Sequence, residues 1–393
     1  MNIRDIAPHK SAWIAGSDAP ELREIKVGFM PLTDCASVVI ASAMKFDEKY
    51  GIRIIPSREV SWAGVRDKLV NGELHAAHAL YGLICGVHLG IGGQKMAMSV
   101  LMTLNNNGQG ITLSNQLLSK GATDGDALKA LLDREKCACT FAQTFPTGTH
   151  AMWLYYWLAC HGIDPLNDVG IVTLPPPQMV SNMRMARVDG YCVGEPWNSL
   201  AIQEHAGFTA ATTQDIWPDH PEKVLGCTAE FAKEYPNSSR ALIMAVLEAS
   251  RYIDDMANRN RVSEIIAGSA YIDCPVGLIA QRMAGEYEDG LGRKWTDPNS
   301  LKFCGDGAVN FPYLSDGMWF LTQFRRWGIL KQPPDYLAVA GEINQTELYK
   351  QAASQVKMPL PSDEMRTSRL MDGRVWNGCK PEEYASSFEI RVE

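Results

Sequence analysis

Residues 145–150 read FPTGTH and stand between two apolar segments, CACTFAQ (137–143) and AMWLYYWLAC (151–160). If the second segment is a helix, Gly148 and Thr149 lie at its start, where the first N–H groups have no partner inside the helix. That end carries roughly half a positive charge and attracts anions. His150, in the first turn, adds a ring N–H donor. The chemistry on offer is recognition of an anion. The alternative is a structural turn with a capping threonine and an exposed histidine, which is a common arrangement.

Such a junction needs a strand before it and a helix after it. In open α/β sheets ligands sit beyond the carboxyl ends of strands, and the pattern supplies such units repeatedly. EIKVGFM (24–30) alternates like a strand, SVVIASAMKFDEKYG (37–51) has a helical apolar period ending at Gly51, and IRIIPSREV (52–60) is a β-branched strand. SWAGVRDKLVNGEL (61–74) follows as a helix. The same alternation returns in CACTFAQ, the helix at 150–161, VGIVTLPP (169–176), QMVSNMRMARVDG (178–190) and YCVGEPW (191–197). Strand–helix alternation at this spacing predicts βαβ units and mainly parallel sheets. Beyond residue 230 the pattern is mostly helical, with SRALIMAVLEASRYIDDMANRN (239–260) the clearest amphipathic case. The expected organisation is a first lobe of 24–112 plus 221–393, a second lobe of 113–220 inserted into it, and an N-terminal extension of 1–23. Two lobes joined by two crossings enclose a cleft, a favoured place for a ligand.

The chain has 393 residues, enough for two or three domains at a prior of about 150 residues each. A net charge of −8 and the lack of a Lys/Arg block argue against direct nucleic-acid binding. The N-terminal segment contains no apolar run of the length a secretory signal needs, and LYGLICGVHLGI (80–91) is too short and too broken to span a bilayer. A cytoplasmic protein is expected. The ten cysteines form no framework of paired spacings. Cys137 and Cys139 fall on one side of a strand, a poor match to zinc or redox pairs, so reduced buried thiols are expected. No Gly-rich phosphate loop, Ser-His-Asp order or metal-ligand cluster is present, so neither an enzyme nor a cofactor is expected.

Six stretches in this order carry a resemblance: SWAGVRD (61–67), NNNGQG (105–110), FPTGTH (145–150), PPPQMVSNM (175–183), VDGYCVGEPWN (188–198) and WPDHPEK (217–223). Together they resemble the nitrate-binding protein family of nitrate and bicarbonate transporters, with its NrtA-type branch, from about Lys26 to about Glu347. The resemblance implies an α/β fold, a two-lobed type II periplasmic-binding-protein-like clamp with a helical C-terminal part. It also implies that nitrate or nitrite is held by Trp62 of SW, Gln109 of NGQ, His150 of GTH, Gly194 of CVGEPW and Lys223 of HPEK. In the bicarbonate-binding branch the lysine position is acidic.

The chemistry of these residue types fits that set. Nitrate has no proton to donate, and it needs one cation and several donors. Lys223 supplies the charge; His150, Gln109 and the Gly194 N–H supply donors, and Trp62 an indole N–H or an apolar wall. Bicarbonate has an O–H that needs an acceptor, so an all-donor site favours nitrate. Glu195, a carboxylate beside an anion site, is expected to pair with a cation or a loop instead. With no export signal in view, the chain is most similar to the cytoplasmic NasS-type nitrate/nitrite sensors. Those hold an RNA-binding antiterminator of the NasT type until the anion binds. The substrate-binding component of an ABC-type nitrate transporter is the alternative.

Overall fold

The computed structural model describes residues 18–135 and 138–392. Residues 1–17, which make up most of the expected N-terminal extension, and Cys137 lie outside them.

The first four strands are β1 (Glu24–Phe29), β2 (Arg53–Arg58), β3 (Ala76–Leu80) and β4 (Met98–Thr103). Then come β5 (Gln109–Ser114), β6 (Thr140–Gln143), β7 (Gly170–Thr173), β8 (Gly190–Gly194) and β9 (Gly207–Thr212), followed by β10 (Lys223–Thr228). They form two five-stranded sheets, ordered β2-β1-β3-β10-β4 and β7-β6-β8-β5-β9. In the first sheet β1 runs parallel to β2 and β3, while β10 runs antiparallel to β3 and β4. In the second, β6 runs parallel to β7 and β8, while β5 runs antiparallel to β8 and β9. Each sheet thus has four strands in one direction and one reversed. The reversed strand is in both cases the first after the chain crosses from the other sheet.

The crossing segments lie side by side. Leu104 N–H donates to the Lys223 carbonyl (2.7 Å) and Glu222 N–H to the Asn105 carbonyl (3.1 Å). Asn107 and Gly108, at φ 63° and 89°, turn the chain into β5. A lobe boundary at 112 is therefore too late, because Gln109–Thr112 already belong to the second sheet. The pattern of β5 does not reveal which sheet it joins, since an apolar run reads alike in either.

Local chemistry also shortens two expected helices. The helix after β1 stops at Ala43, where Lys45 takes φ 62°, and the remainder is a short 3₁₀ turn, Glu48–Tyr50, ending at Gly51 with φ 73°. The expected 239–260 helix is two, Pro236–Asp254 and Met256–Ile266. Asp255 breaks it in extended geometry and caps the second helix by accepting the Ala257 N–H.

One apolar cluster joins the first sheet to the C-terminal helices through residues such as Val27, Val39, Leu242 and Val246. The other runs from Leu80 and Val224 of the first sheet, through Trp153, Trp217 and Trp319, to Ile111, Phe141 and Val193 of the second. Trp153 stacks on Trp319 with ring centroids 4.9 Å apart, and Trp217 meets Trp319 edge-on at 5.2 Å. Such pairs contribute about 0.5–1.5 kcal/mol each beyond their burial. Both sheets therefore share a core on this side. The cysteines seen in the structure are free, and most are buried. Among the described residues no helix is long and apolar enough to cross a membrane.

Candidate functional site

The site gathers where strand ends meet. Gln109 opens β5 and Lys223 opens β10, the two reversed strands, and Gly194 closes β8 directly opposite Gln109. Because each reversed strand starts where its neighbours end, all three fall at the carboxyl ends of the same-direction strands. Trp62 is the first residue of the Trp62–Val70 helix, which Ser61 caps by accepting the Gly64 N–H at 3.1 Å. His150 is the second residue of the Thr149–Cys160 helix. Close packing fixes that helix start. Gly82 and Gly86, one turn apart on the Tyr81–Leu89 helix, lie against Thr147. A Cβ on Gly82 would stand 1.9 Å from the Thr147 carbonyl oxygen, so only glycine admits the FPTGTH loop here. The glycines that break LYGLICGVHLGI as an apolar span are what let this loop dock.

Two details of the alternative reading of FPTGTH differ in the structure, the exposed histidine and the capping threonine. His150 is fully buried, and Gly148 caps the helix without a side chain. The Thr149 hydroxyl instead donates to Glu222 Oε1.

The resemblance-derived residues converge. Lys223 Nζ lies 5.8 Å from the centre of the Trp62 ring. Gln109 Nε2 faces two acceptors, Asp34 Oδ2 at 3.0 Å and the Asn107 carbonyl at 3.3 Å. Gln109 Oε1 therefore accepts from His150 Nε2–H at 2.9 Å. With its proton on Nε2, the His150 ring accepts the Thr144 hydroxyl at Nδ1 (2.6 Å). A Cβ on Gly194 would come within 2.5 Å of Gln109 Oε1, so glycine is what lets that amide lie flat against the strand end. Among the described residues the buried Trp62 indole N–H has no partner. A buried donor left unpaired costs about 1–3 kcal/mol, and this one marks the place as suited to an acceptor.

Two carboxylates at the centre have no role in the sequence-based set. Asp34, in the short turn after β1, accepts from Lys223 Nζ at 2.7 Å through Oδ2 and from His78 Nε2 at 2.8 Å through Oδ1. Glu222 accepts from Lys223 Nζ at 2.8 Å, from Trp153 Nε1 at 2.7 Å and from Thr149. Asp34 carries no distinguishing mark in the sequence, and Glu222 appears there only as a neighbour of Lys223 in HPEK. A signal did exist: a lysine at the head of the apolar strand KVLGC must bury its charge, and a buried charge needs a partner.

The electrostatics follow from burial. Burial opposes ionisation of Asp34, but Lys223 and then His78 outweigh it and hold the carboxyl below its usual range. Burial likewise opposes the Lys223 charge, and Asp34 and Glu222 overcome it and raise that group. Burial, reinforced by Lys223, pushes His150 down to about 3. Burial pushes His220 down to about 3 as well, and lowers His78. His78 is fixed as the Nε2–H tautomer, since its Nδ1 faces the Met30 N–H at 3.5 Å. Glu195 pairs with Arg282 at 3.0 Å and accepts from Ser199, so it turns away from the cluster. A surface recess of about 500 Å³ beside Arg282, Tyr287 and Trp295 is lined by none of these residues. Among the described residues no group of three His, Cys, Asp or Glu is arranged to hold a metal ion. The donor types, one ammonium, an amide, an imidazole and an indole N–H, are those an acceptor-only ion would use, and in this structure the first three are engaged with Asp34, Glu222, the Asn107 carbonyl and one another.

Comparison with known proteins gives a consistent picture. The NMT1-like family matches residues 18–267. The nitrate/nitrite binding protein NrtA of Synechococcus elongatus is 36% identical over 397 residues, covering 96% of this chain and 89% of that protein. The nitrate import ATP-binding protein NrtC of Synechocystis is 32% identical over 378 residues, 95% of this chain and 56% of that longer protein. Among solved structures, the periplasmic nitrate-binding protein NrtA from Synechocystis superposes with a TM-score of 0.90 at 33% identity, covering 95% of this chain and all of that one. The fold is the two-lobed α/β fold of periplasmic binding proteins, with a helical C-terminal part.

Proposed function

This chain belongs to the NMT1-like family and within it to the nitrate-binding proteins of NrtA type, and from that premise we propose that it binds nitrate or nitrite at Lys223, with Trp62, Gln109, His150 and Gly194 around the anion. One observation carries the reading: a fully buried ammonium, held between Asp34 and Glu222, stands beside a buried indole N–H that has no partner among the described residues. Lysine rather than a carboxylate at this position favours an ion with no proton to donate. Isothermal titration with nitrate, nitrite and bicarbonate tests it. Saturable binding of the first two and none of the third is expected. Failure of both nitrate and nitrite to bind overturns it.

The relatives bear on its biological setting. They include a nitrate/nitrite binding protein and a nitrate import ATP-binding protein. Both names favour the substrate-binding component of an ABC-type nitrate importer over the antiterminator-holding sensor. The sensor, with its RNA-binding partner and cytoplasmic location, rests on the sequence resemblance alone. A pull-down with the membrane and ATPase components, in parallel with an RNA-binding antiterminator, separates the two. Nitrate-dependent capture of the transporter components is expected. A complex with the antiterminator that nitrate dissociates would reverse the order.

A further inference from the structure

The cluster around Lys223 contains more negative than positive charge. Asp34 and Glu222 face a single ammonium, and every hydrogen bond between them and it is made inside the protein. Two arginine–carboxylate pairs outside the cluster, Glu195 with Arg282 and Asp316 with Arg366, are already self-neutralised. An anion entering alone would raise the excess from one negative charge to two, in a place that water does not reach. Like charges confined at low dielectric repel strongly.

We propose that the anion does not enter alone: one proton is taken up with it, at Nδ1 of His150, so that the excess charge of the cluster is unchanged by binding. The inference rests on the nitrate reading above and adds a proton to it.

At one position this step displaces no heavy atom, and the entering anion must overcome the burial and the Lys223 charge that hold the free ring down. His150 Nδ1 now accepts the Thr144 hydroxyl. A hydroxyl both donates and accepts. Once Nδ1 carries a proton, the Thr144 O–H rotates and its oxygen accepts, with no heavy atom displaced. Nε2–H meanwhile keeps facing Gln109 Oε1. The charged groups facing this ring are Lys223 at the head of β10, Glu222 just before it with Oε1 3.6 Å from Nε2, Asp34 after β1, reached through Gln109, and His220 on the returning crossing. Thr144 and Gln109, its direct partners, are neutral. Lys223 and burial keep the ring uncharged; a second anion beside it works in the opposite direction. His78 cannot take the same role, because protonating its Nδ1 would set it against the Met30 N–H. His220 Nε2 also faces a hydroxyl, that of Thr213, at 2.7 Å, but its ring lies against Trp153 on the far side of Glu222.

The test is calorimetric titration of the full chain with nitrate at pH 7.5, in buffers of different ionisation enthalpy. The slope of observed heat against buffer enthalpy counts protons. About one proton per nitrate is expected, with affinity falling about tenfold per pH unit between pH 7 and 9. His150→Gln keeps a side-chain N–H but has nothing to protonate; its uptake should drop to near zero and its weaker affinity should become independent of pH. Glu222→Gln, a second route to the same point, lowers the negative excess and should also reduce uptake. Nitrate binding by the wild type with no proton uptake overturns this inference and leaves the nitrate reading standing. Undiminished uptake in His150→Gln, with loss in His220→Gln, overturns the assignment to His150. Absence of nitrate and nitrite binding at every pH removes both readings.

Discussion

The two sheets have the same plan, four strands one way and one reversed, yet they bring opposite chemistry to their meeting point. The first sheet and its connections supply the charges: Asp34 after β1, Lys223 at the start of β10 and Glu222 just before it. The second supplies neutral groups: Gln109 at the start of β5, Gly194 at the end of β8, and His150 on the helix after β6. The charged half pairs within itself and keeps one negative charge in excess, while the neutral half offers shape and hydrogen-bonding groups. The two can therefore be altered separately.

The largest effect is expected from attacking the charged half. Lys223→Glu places a third carboxylate between Asp34 and Glu222. Breaking a buried pair by removing one partner costs about 3–5 kcal/mol, so chemical denaturation should show a loss of that size or more, along with nitrate binding too weak to measure. A mutant as stable as wild type would show that the buried pairing is not what holds this region. Asp34→Asn separates the two roles of that half. It preserves a side chain of the same shape and leaves Glu222 to neutralise Lys223. Stability should fall by about 1–3 kcal/mol, while nitrate binds about tenfold tighter at pH 8, a gain of about 1.4 kcal/mol. Weaker binding would mean that Asp34 orients Lys223 more than it competes for it.

Next comes the acid response of both halves. His150 and His220 stay neutral in the folded chain down to about 3. The unfolded chain protonates them near 6.5. Both folded values lie below the unfolded one, so the unfolded state holds more protons between these limits and stability declines as pH falls from 6.5 toward 3. At pH 5 each histidine accounts for about 2 kcal/mol of that decline. Thermal unfolding scanned from pH 7.5 to 5 should show it, and His220→Gln should lessen it. A midpoint constant over that range would contradict neutral burial.

The neutral groups of both halves should give smaller effects. His150→Ala is expected to weaken nitrate binding by about 1–3 kcal/mol, the scale of a hydrogen bond to a charged partner. Trp62→Phe keeps the ring and removes the unpaired N–H. It should leave the protein as stable as before or more stable by up to about 1 kcal/mol, yet weaken nitrate binding several-fold. A loss of stability without a loss of affinity would make Trp62 a packing residue only.

The same division explains what was legible in the sequence. Strand–helix alternation gives the α/β class, and ordered motifs lead to Trp62, Gln109, His150, Gly194 and Lys223. Their resemblance to a family brings the five together; nothing local in NNNGQG or WPDHPEK does so. Asp34 escapes because its partner Lys223 is 189 residues away and a turn aspartate looks like any other. Glu222 escapes because a carboxylate next to a lysine in sequence is ordinary, and only burial of both makes it decisive. The β5 boundary is missed because membership of a sheet is a matter of partners in space. His150 is the instructive case: a histidine at a helix start is usually exposed, and here Gly82 and Gly86 on another helix pull its loop into the interior.

The reversed strands have a mechanical consequence. Gln109 and Lys223 are the first residues beyond the two crossings, so any swing of one sheet against the other turns about points next to the binding groups. Close to a pivot, a large angle produces a short arc. The far rims of the lobes would travel many times farther than the Gln109 amide or the Lys223 ammonium. An anion bound at Lys223 would sit at the fulcrum, where a displacement comparable to a hydrogen bond would be geared up into a change of outline at the rims, and a partner touching only those rims could tell a loaded molecule from an empty one.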